Sequence, residues 1–410
     1  MQGDQGLTWR SWRILLSEVF VISIAALKRN TAILRQLKEE AGCGLVLALK
    51  GFSCWKAFEY IRDDLDGCCA SGLWEAKLAH EEFGKKVLTY SPAYNESDVA
   101  QLCEFTDQLD FNSLGQWQRH CEFVMAHPRF KSGELHCGLR INPECSTGST
   151  PIYDPCVPGS RLGITADQLK GADLTGISGL HFHTLCEQNS DALATTLNAV
   201  EEKFGDLLRS ESITYLNLGG GHWVTKPDYD RARLVQLVKD TKERYGVDCW
   251  LEPGEAIAIH TGVLRSTVMD VFESAGHRVA VLDVSATAHM PDVIEMPYRP
   301  DVFLVAEDGV GEPAVCFKGE TYHLASEGEG VVHRLGGPTC LAGDVMGDYA
   351  FSRELVPGDT LVFDDMAHYT MVKTTTFNGV KHPAIALQHE DGSIEVLREF
   401  GYEDFRDRLA

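Results

Sequence analysis

Eight short strand-like runs, spaced along the first two-thirds of the chain, constrain its fold more than any other feature. They fall at 45–50, 66–71, 86–90, 109–112, 135–141, 178–184, 213–218 and 248–252. Helical patterns separate most of them, at 55–64, 73–83, 97–107, 115–126, 190–208 and 229–244. A helix between two strands carries the chain back to the same edge, so the strands run parallel. Eight such units predict a closed (β/α)8 barrel of TIM type. The stretch 143–163 breaks the rhythm: it is rich in Pro, Gly, Ser and Thr and reads as a long functional loop. Beyond about residue 262 the helical period fades. Runs at 263–271, 278–285, 313–318, 331–334, 360–364, 384–388 and 393–398 alternate with turn residues. They predict an all-β C-terminal domain. The fold class is therefore α/β, with the barrel over 25–262 and the β-domain over 263–410. The run Val19-Phe20-Val21-Ile22-Ser23-Ile24, within an N-terminal segment 1–24, is expected to join the β-domain as a strand.

In barrels of this kind chemistry collects at the C-terminal ends of the strands. Lys50, Ser71, Asn112, Arg140, His183, Gly219 and Glu252 all lie at or just beyond strand ends. Lys50 closes Leu45-Val46-Leu47-Ala48-Leu49, where an ammonium is costly unless paired or used. Gly219-Gly220-Gly221 follows a strand, and without Cβ atoms its backbone can approach a phosphate. A plain tight turn would use the same glycines. Glu252 precedes Pro253-Gly254, and an ordinary βα turn also places a carboxylate there. Together the three elements suit pyridoxal 5'-phosphate. They supply an amine for its aldehyde, N–H groups for its phosphate and a carboxylate for its ring nitrogen. His181 and His183 alternate in one strand and point the same way, and the later one is placed to stack on a flat ring. Metal binding is the rival for that pair, but no third ligand lies at useful spacing, so no metal is expected. Gly336 to Asp344 reads as a loop holding a thiol, Cys340, and a carboxylate, Asp344.

The chain has 37 basic and 60 acidic residues, a net charge of −23. That argues against nucleic acid as a partner and suits a small cationic substrate, although solubility alone explains it as well. Thirteen cysteines, odd in number and without a Cys-x-x-Cys pair, read as buried thiols in a reducing compartment. No apolar run reaches membrane-spanning length, and the start lacks a cleavage site, so no membrane partner and a cytoplasmic location are expected.

From about residue 19 onward the chain resembles the fold-type III pyridoxal-phosphate decarboxylases, which include ornithine, arginine and diaminopimelate decarboxylases. The resemblance rests on Ala48-Leu49-Lys50, Leu180 to Thr184, Gly219 to Gly221, Glu252-Pro253-Gly254 and Gly337-Pro338-Thr339-Cys340. Asp365 to Thr370 and Thr376 to Gly379 complete it. Within that family Gly51-Phe52-Ser53, Leu185-Cys186-Glu187-Gln188 and Asp283 to Asp292 are most similar to the carboxynorspermidine/carboxyspermidine branch. The resemblance implies an alanine racemase-like fold, a homodimer with shared active sites, and decarboxylation in polyamine biosynthesis. It also implies residue roles. Lys50 holds the cofactor, His183 stacks on it, the glycines 219–221 contact the phosphate, and Glu252 pairs with the ring nitrogen. Tyr369, Arg140 and Arg161 are further cofactor contacts. Cys340, from a second subunit, returns a proton to the substrate, and Asp344, Glu187, Asp292 and Glu295 meet its amines. Two positions depart from ornithine-type members: Glu255 stands where they carry arginine, and Leu341 where they carry aspartate. The alternatives are a diaminopimelate-, ornithine- or arginine-type decarboxylase and, outside catalysis, a regulatory homologue. A racemase is disfavoured by Glu252.

Overall fold

The computed structural model describes residues 17–148, 150–296, 298–306, 309–316 and 330–410. They divide into two compact units, 28–257 and 17–27 with 258–410.

In the first unit, among the described residues, eight parallel strands close into a barrel in sequence order. They are β2 (Gly44–Ala48), β3 (Gly67–Ala70), β4 (Lys86–Tyr90), β5 (Gln108–Phe111), β6 (His136–Arg140), β7 (Gly179–His181), β8 (Tyr215–Asn217) and β9 (Asp248–Leu251). Pairing of Gly44 with Trp250 and Leu45 with Leu251 closes the ring. Polar caps begin several outer helices. Asn95 accepts from the Asp98 N–H, Ser113 from that of Gln116 and Asp230 from that of Arg233. Helix Ser190–Leu208 buries Leu193, Val200, Phe204 and Leu208, spaced for one face, and each contributes about 1.5–3 kcal/mol by leaving water.

All eight expected barrel strands are present, so the barrel expectation holds. Local detail differs. The helix expected at 55–64 is two 3-10 turns, Trp55–Tyr60 and Arg62–Asp64. Helix Ile24–Ala41, which no sequence pattern above assigns, precedes the barrel.

The second unit is a mostly antiparallel sheet. Its strands are β1 (Val19–Ser23), β10 (Gly262–Ser274), β11 (His277–Leu282), β12 (Val302–Val305), β13 (Gly311–Pro313), β14 (Val315–Cys316), β15 (Val331–Gly336), β16 (Val345–Phe351), β17 (Thr360–Phe363), β18 (Ala384–Gln388) and β19 (Ile394–Arg398). β1 lies between β10, antiparallel, and β18, parallel. Phe20 packs into the larger core with Leu264, Tyr349 and Phe363, whereas Val19 and Val21 pack with Val263, Val362 and Ala386. Burial on both faces explains why β1 reads as an unbroken apolar run. Among the described residues no helix is long and apolar enough to cross a membrane.

Candidate active site

The C-terminal ends of the barrel strands enclose a cavity of about 200 Å³. Lys50, Ser71, Arg140, His181, His183 and Glu252, all singled out above, line it together with Cys69, Tyr90 and Leu162. All but Leu162 stand within two residues of a strand end, so backbone hydrogen bonding of the barrel fixes their Cα positions.

Lys50 Nζ lies 3.3 Å from His183 Nε2. Enclosure by protein lowers the lysine's proton affinity, and Arg140 adds to that, against the opposing pull of Cys69 and Glu252. Burial likewise pushes His183 well below the usual imidazole range, helped by Lys50 and Arg140. The ring is therefore neutral. Its Nδ1 accepts the Gly220 N–H at 2.9 Å, which assigns the proton to Nε2, facing Lys50. An unprotonated amine can accept that proton's hydrogen bond, and it is the nucleophilic form. Burial raises the Glu252 carboxyl, but His181 and the Asn217 amide outweigh it and hold the group at about 2. Asn217 Nδ2 donates to Glu252 Oε1 at 2.7 Å. Arg140 donates to the His183 carbonyl at 3.1 Å and stacks over the Tyr90 ring at 4.5 Å.

The glycine turn does more than present open N–H groups. Gly219 N–H donates to Asn217 Oδ1 at 2.9 Å and Gly220 N–H to His183, so two of the three donors expected for a phosphate are committed within the chain. Gly219 and Gly221 adopt φ of 72° and 82°. A Cβ on Gly221 would lie 2.0 Å from the Leu185 carbonyl oxygen. Gly221→Ala is expected to destabilise the protein by at least about 2 kcal/mol, read from the urea midpoint.

Other expected residues lie elsewhere. Arg161 is exposed, and its carbonyl accepts from Asn112 Nδ2 at 2.8 Å. Asn112 also accepts from the Gly163 N–H at 2.8 Å, so it anchors the end of the long loop beside Leu162 in the cavity wall. Glu187 and Tyr369 adopt positive φ, 53° and 49°, a strained conformation that concentrates at functional sites. In the second unit Cys340 is exposed on a turn, and its N–H donates to Asn378 Oδ1 at 2.8 Å. Asp344 is buried and accepts hydrogen bonds from Ser285, Thr287 and Thr339. Asp292 and Glu295 bind Lys373 Nζ at 2.5 and 2.6 Å. These three carboxylates therefore already serve partners within the chain. Sequence reasoning passed over Asp110, a carboxylate inside β5, although a charge in a buried strand is the same signal that picks out Lys50. No group of three metal-binding side chains converges among the described residues.

The sequence matches the family described as "Pyridoxal-dependent decarboxylase, C-terminal sheet domain" over residues 19–367. The chain belongs to the pyridoxal-dependent decarboxylases. It is 46% identical over 397 residues to the carboxyaminopropylagmatine decarboxylase of Synechocystis, covering 97% of this chain and 96% of that one. It is 40% identical over 386 residues to the carboxynorspermidine/carboxyspermidine decarboxylase of Campylobacter jejuni, covering 94% and 96%. The crystal structure of carboxynorspermidine decarboxylase from Campylobacter jejuni, complexed with norspermidine, superposes with a TM-score of 0.82 at 38% identity, covering 96% of this chain and all of that one. The family and these relatives bear out the resemblance drawn from the motifs, and with it the decarboxylase reading.

The cavity fits the family's cofactor by its own chemistry. It joins an amine whose proton affinity is lowered by enclosure, a neutral flat imidazole and an ionised carboxylate. A Cβ on Gly220 would strike the Glu252 carbonyl oxygen at 2.3 Å, so the glycine keeps the turn close to these groups.

Proposed function

We propose that this protein, as a homodimer, binds pyridoxal 5'-phosphate and removes the α-carboxylate of carboxynorspermidine or carboxyspermidine, giving norspermidine or spermidine. One observation carries the reading: Lys50, His183 and Glu252 face a single cavity in a chain 40% identical to an enzyme named for those substrates. Pyridoxal phosphate, when bound, supplies a ring that accepts the electron pair released as carbon dioxide leaves. Lys50 offers its amine as the covalent anchor. His183 covers one face of the cavity, held flat by Gly220. Glu252 holds a proton at the ring nitrogen by its negative charge. Arg140 and the turn 219–221 complete the cofactor's surroundings. Cys340 of a second copy delivers a proton to the α-carbon, and Glu187, with its constrained backbone, meets a substrate amine.

A second reading is favoured by the 46% identity to a carboxyaminopropylagmatine decarboxylase. That substrate shares the amino-acid head but ends in a guanidinium rather than an ammonium. Carbon dioxide release from carboxynorspermidine, carboxyspermidine, carboxyaminopropylagmatine, meso-diaminopimelate, ornithine, arginine and lysine decides between them. The expected result is a kcat/KM for a carboxylated polyamine at least about 100-fold above that for any simple amino acid, since unpaired buried polar groups penalise the shorter substrates. One methylene separates the first two substrates and is worth about 1–3 kcal/mol. Preference for the guanidinium-ended substrate selects the second reading, and preference for a simple amino acid overturns both.

A further inference from the structure

Behind Glu252 the barrel interior holds ionisable groups that the reaction above does not use. His181 Nδ1 lies 3.2 Å from Asp110 Oδ2, and Nε2 lies 3.5 Å from Glu252 Oε2. Neither approach has full hydrogen-bond geometry, so both are close ion-pair contacts. Tyr215 donates its hydroxyl proton to Asp110 Oδ1 at 2.7 Å. The series Tyr215, Asp110, His181, Glu252, Asn217 thus crosses the barrel through β5, β7, β8 and the end of β9. Two glycines clear its path. A Cβ on Gly138 would lie 2.2 Å from Asp110 Oδ1 and 2.4 Å from the Tyr215 hydroxyl, and one on Gly179 would lie 2.0 Å from the Tyr215 ring. Barrel interiors are usually filled by branched apolar side chains. Buried charge is a costly substitute, which points to a function for it.

The charges alternate. Burial disfavours an imidazolium at His181, but Glu252 and Asp110 outweigh it and raise the group's proton affinity. Tyr90 meets the ring edge-on at 5.4 Å, with Arg140 stacked on its own ring. His183 and Lys50 stand across the same cavity, both shifted toward their uncharged forms. An imidazolium paired with Glu252 alone would leave no net charge facing the cavity. With Asp110 included, two carboxylates and one imidazolium leave one negative charge.

We propose that Asp110 and His181 are positioning residues for Glu252: His181 clamps the carboxylate from behind, and Asp110 offsets the clamp's positive charge, so that Glu252 still presents a negative charge to the cavity. The proposal rests on the cofactor reading above, in which that charge keeps a proton on the ring nitrogen.

The first test needs no cofactor. Side-chain nitrogen NMR of the full-length apoprotein, with His181 assigned by the signal lost in His181→Gln, reads its protonation against pH. In wild type His181 is expected to titrate above the usual value of about 6.5, and in Asp110→Asn at or below it. The second test follows the absorbance of bound pyridoxal phosphate against pH. Asp110→Asn is expected to move ring-nitrogen deprotonation down by about one pH unit or more, whereas His181→Gln, which takes away the clamp's positive charge, should move it up. Both should lower kcat about 10–100-fold while KM changes less than about threefold. Tyr215→Phe removes one donor but keeps the ring, so it folds where Asp110→Asn fails to, and it should shift both titrations in the same direction by less. A His181 that titrates normally in wild type overturns the proposal. So does a cofactor titration unchanged in the variants. Wild-type protein that takes up no pyridoxal phosphate overturns the cofactor reading instead, and the NMR titration still decides whether the charge arrangement exists.

Discussion

Lys50→Ala is expected to lower turnover by about 10³-fold or more and to abolish the absorbance of covalently held pyridoxal phosphate. The effect follows from position. The amine stands two residues beyond the end of β2 and 3.3 Å from His183, in a cavity where enclosure already favours its uncharged form. Among the residues lining that cavity, Arg140 is the other amine-like group, and a guanidinium does not give up its proton near neutral pH. Stability should respond in the opposite sense. A residue retained only for structure is destabilising to remove, whereas a confined amine held below its usual proton affinity opposes folding. The alanine variant should therefore unfold at an unchanged or higher urea concentration. Turnover above about a tenth of wild type would exclude the covalent role, and a clear loss of stability in the cofactor-free protein would show that the amine supports folding instead.

Much of this site was legible because polar residues interrupt apolar strands. Lys50, His183 and Glu252 each end a run that is otherwise buried, and the barrel fold turns those ends toward one cavity. What escaped depended on partners distant in sequence. β16, which contains Gly347 and Asp348, is not among the expected strands, yet Asp348 faces Arg334 of β15 in register and accepts both guanidinium bonds, at 2.7 and 2.9 Å. That cross-strand pair satisfies a charge that the strand pattern alone counts against. Helix Ile24–Ala41 escaped because β1 and its first turn share one apolar run, with Ser23 at the junction accepting from the Ala26 N–H at 3.3 Å. The glycine turn was recognised, but its closeness to the loop after β7 was not, since only the fold brings Leu185 against Gly221.

Asp344 illustrates the same limit, and its replacement should show the largest loss of stability. The resemblance assigned it to a substrate amine. Its carboxylate is 3% exposed and accepts from the Ser285 hydroxyl (2.9 Å), the Thr287 N–H (3.1 Å), the Thr339 N–H (3.2 Å) and the Thr339 hydroxyl (2.7 Å). Its own backbone closes the same turn, donating to the Leu341 carbonyl at 2.9 Å and accepting from the Gly337 N–H at 2.8 Å. A Cβ on Gly337 would lie 2.3 Å from Oδ2, so the turn is built around the carboxylate. Asp344→Ala strands these donors in a site too tight for the lost oxygens to be replaced freely by water. Unsatisfied buried donors cost about 1–3 kcal/mol each, and partial hydration brings the expected total to about 3–5 kcal/mol. Asp344→Asn keeps one acceptor oxygen but turns an NH₂ toward donors, so it should fall between the two. Because the turn carries Cys340, activity should fall through kcat as that thiol loses its placement. A substrate-binding carboxylate would behave differently: KM would rise while the urea midpoint stayed constant. That pattern would return Asp344 to the polyamine and leave the tight turn without its anchor.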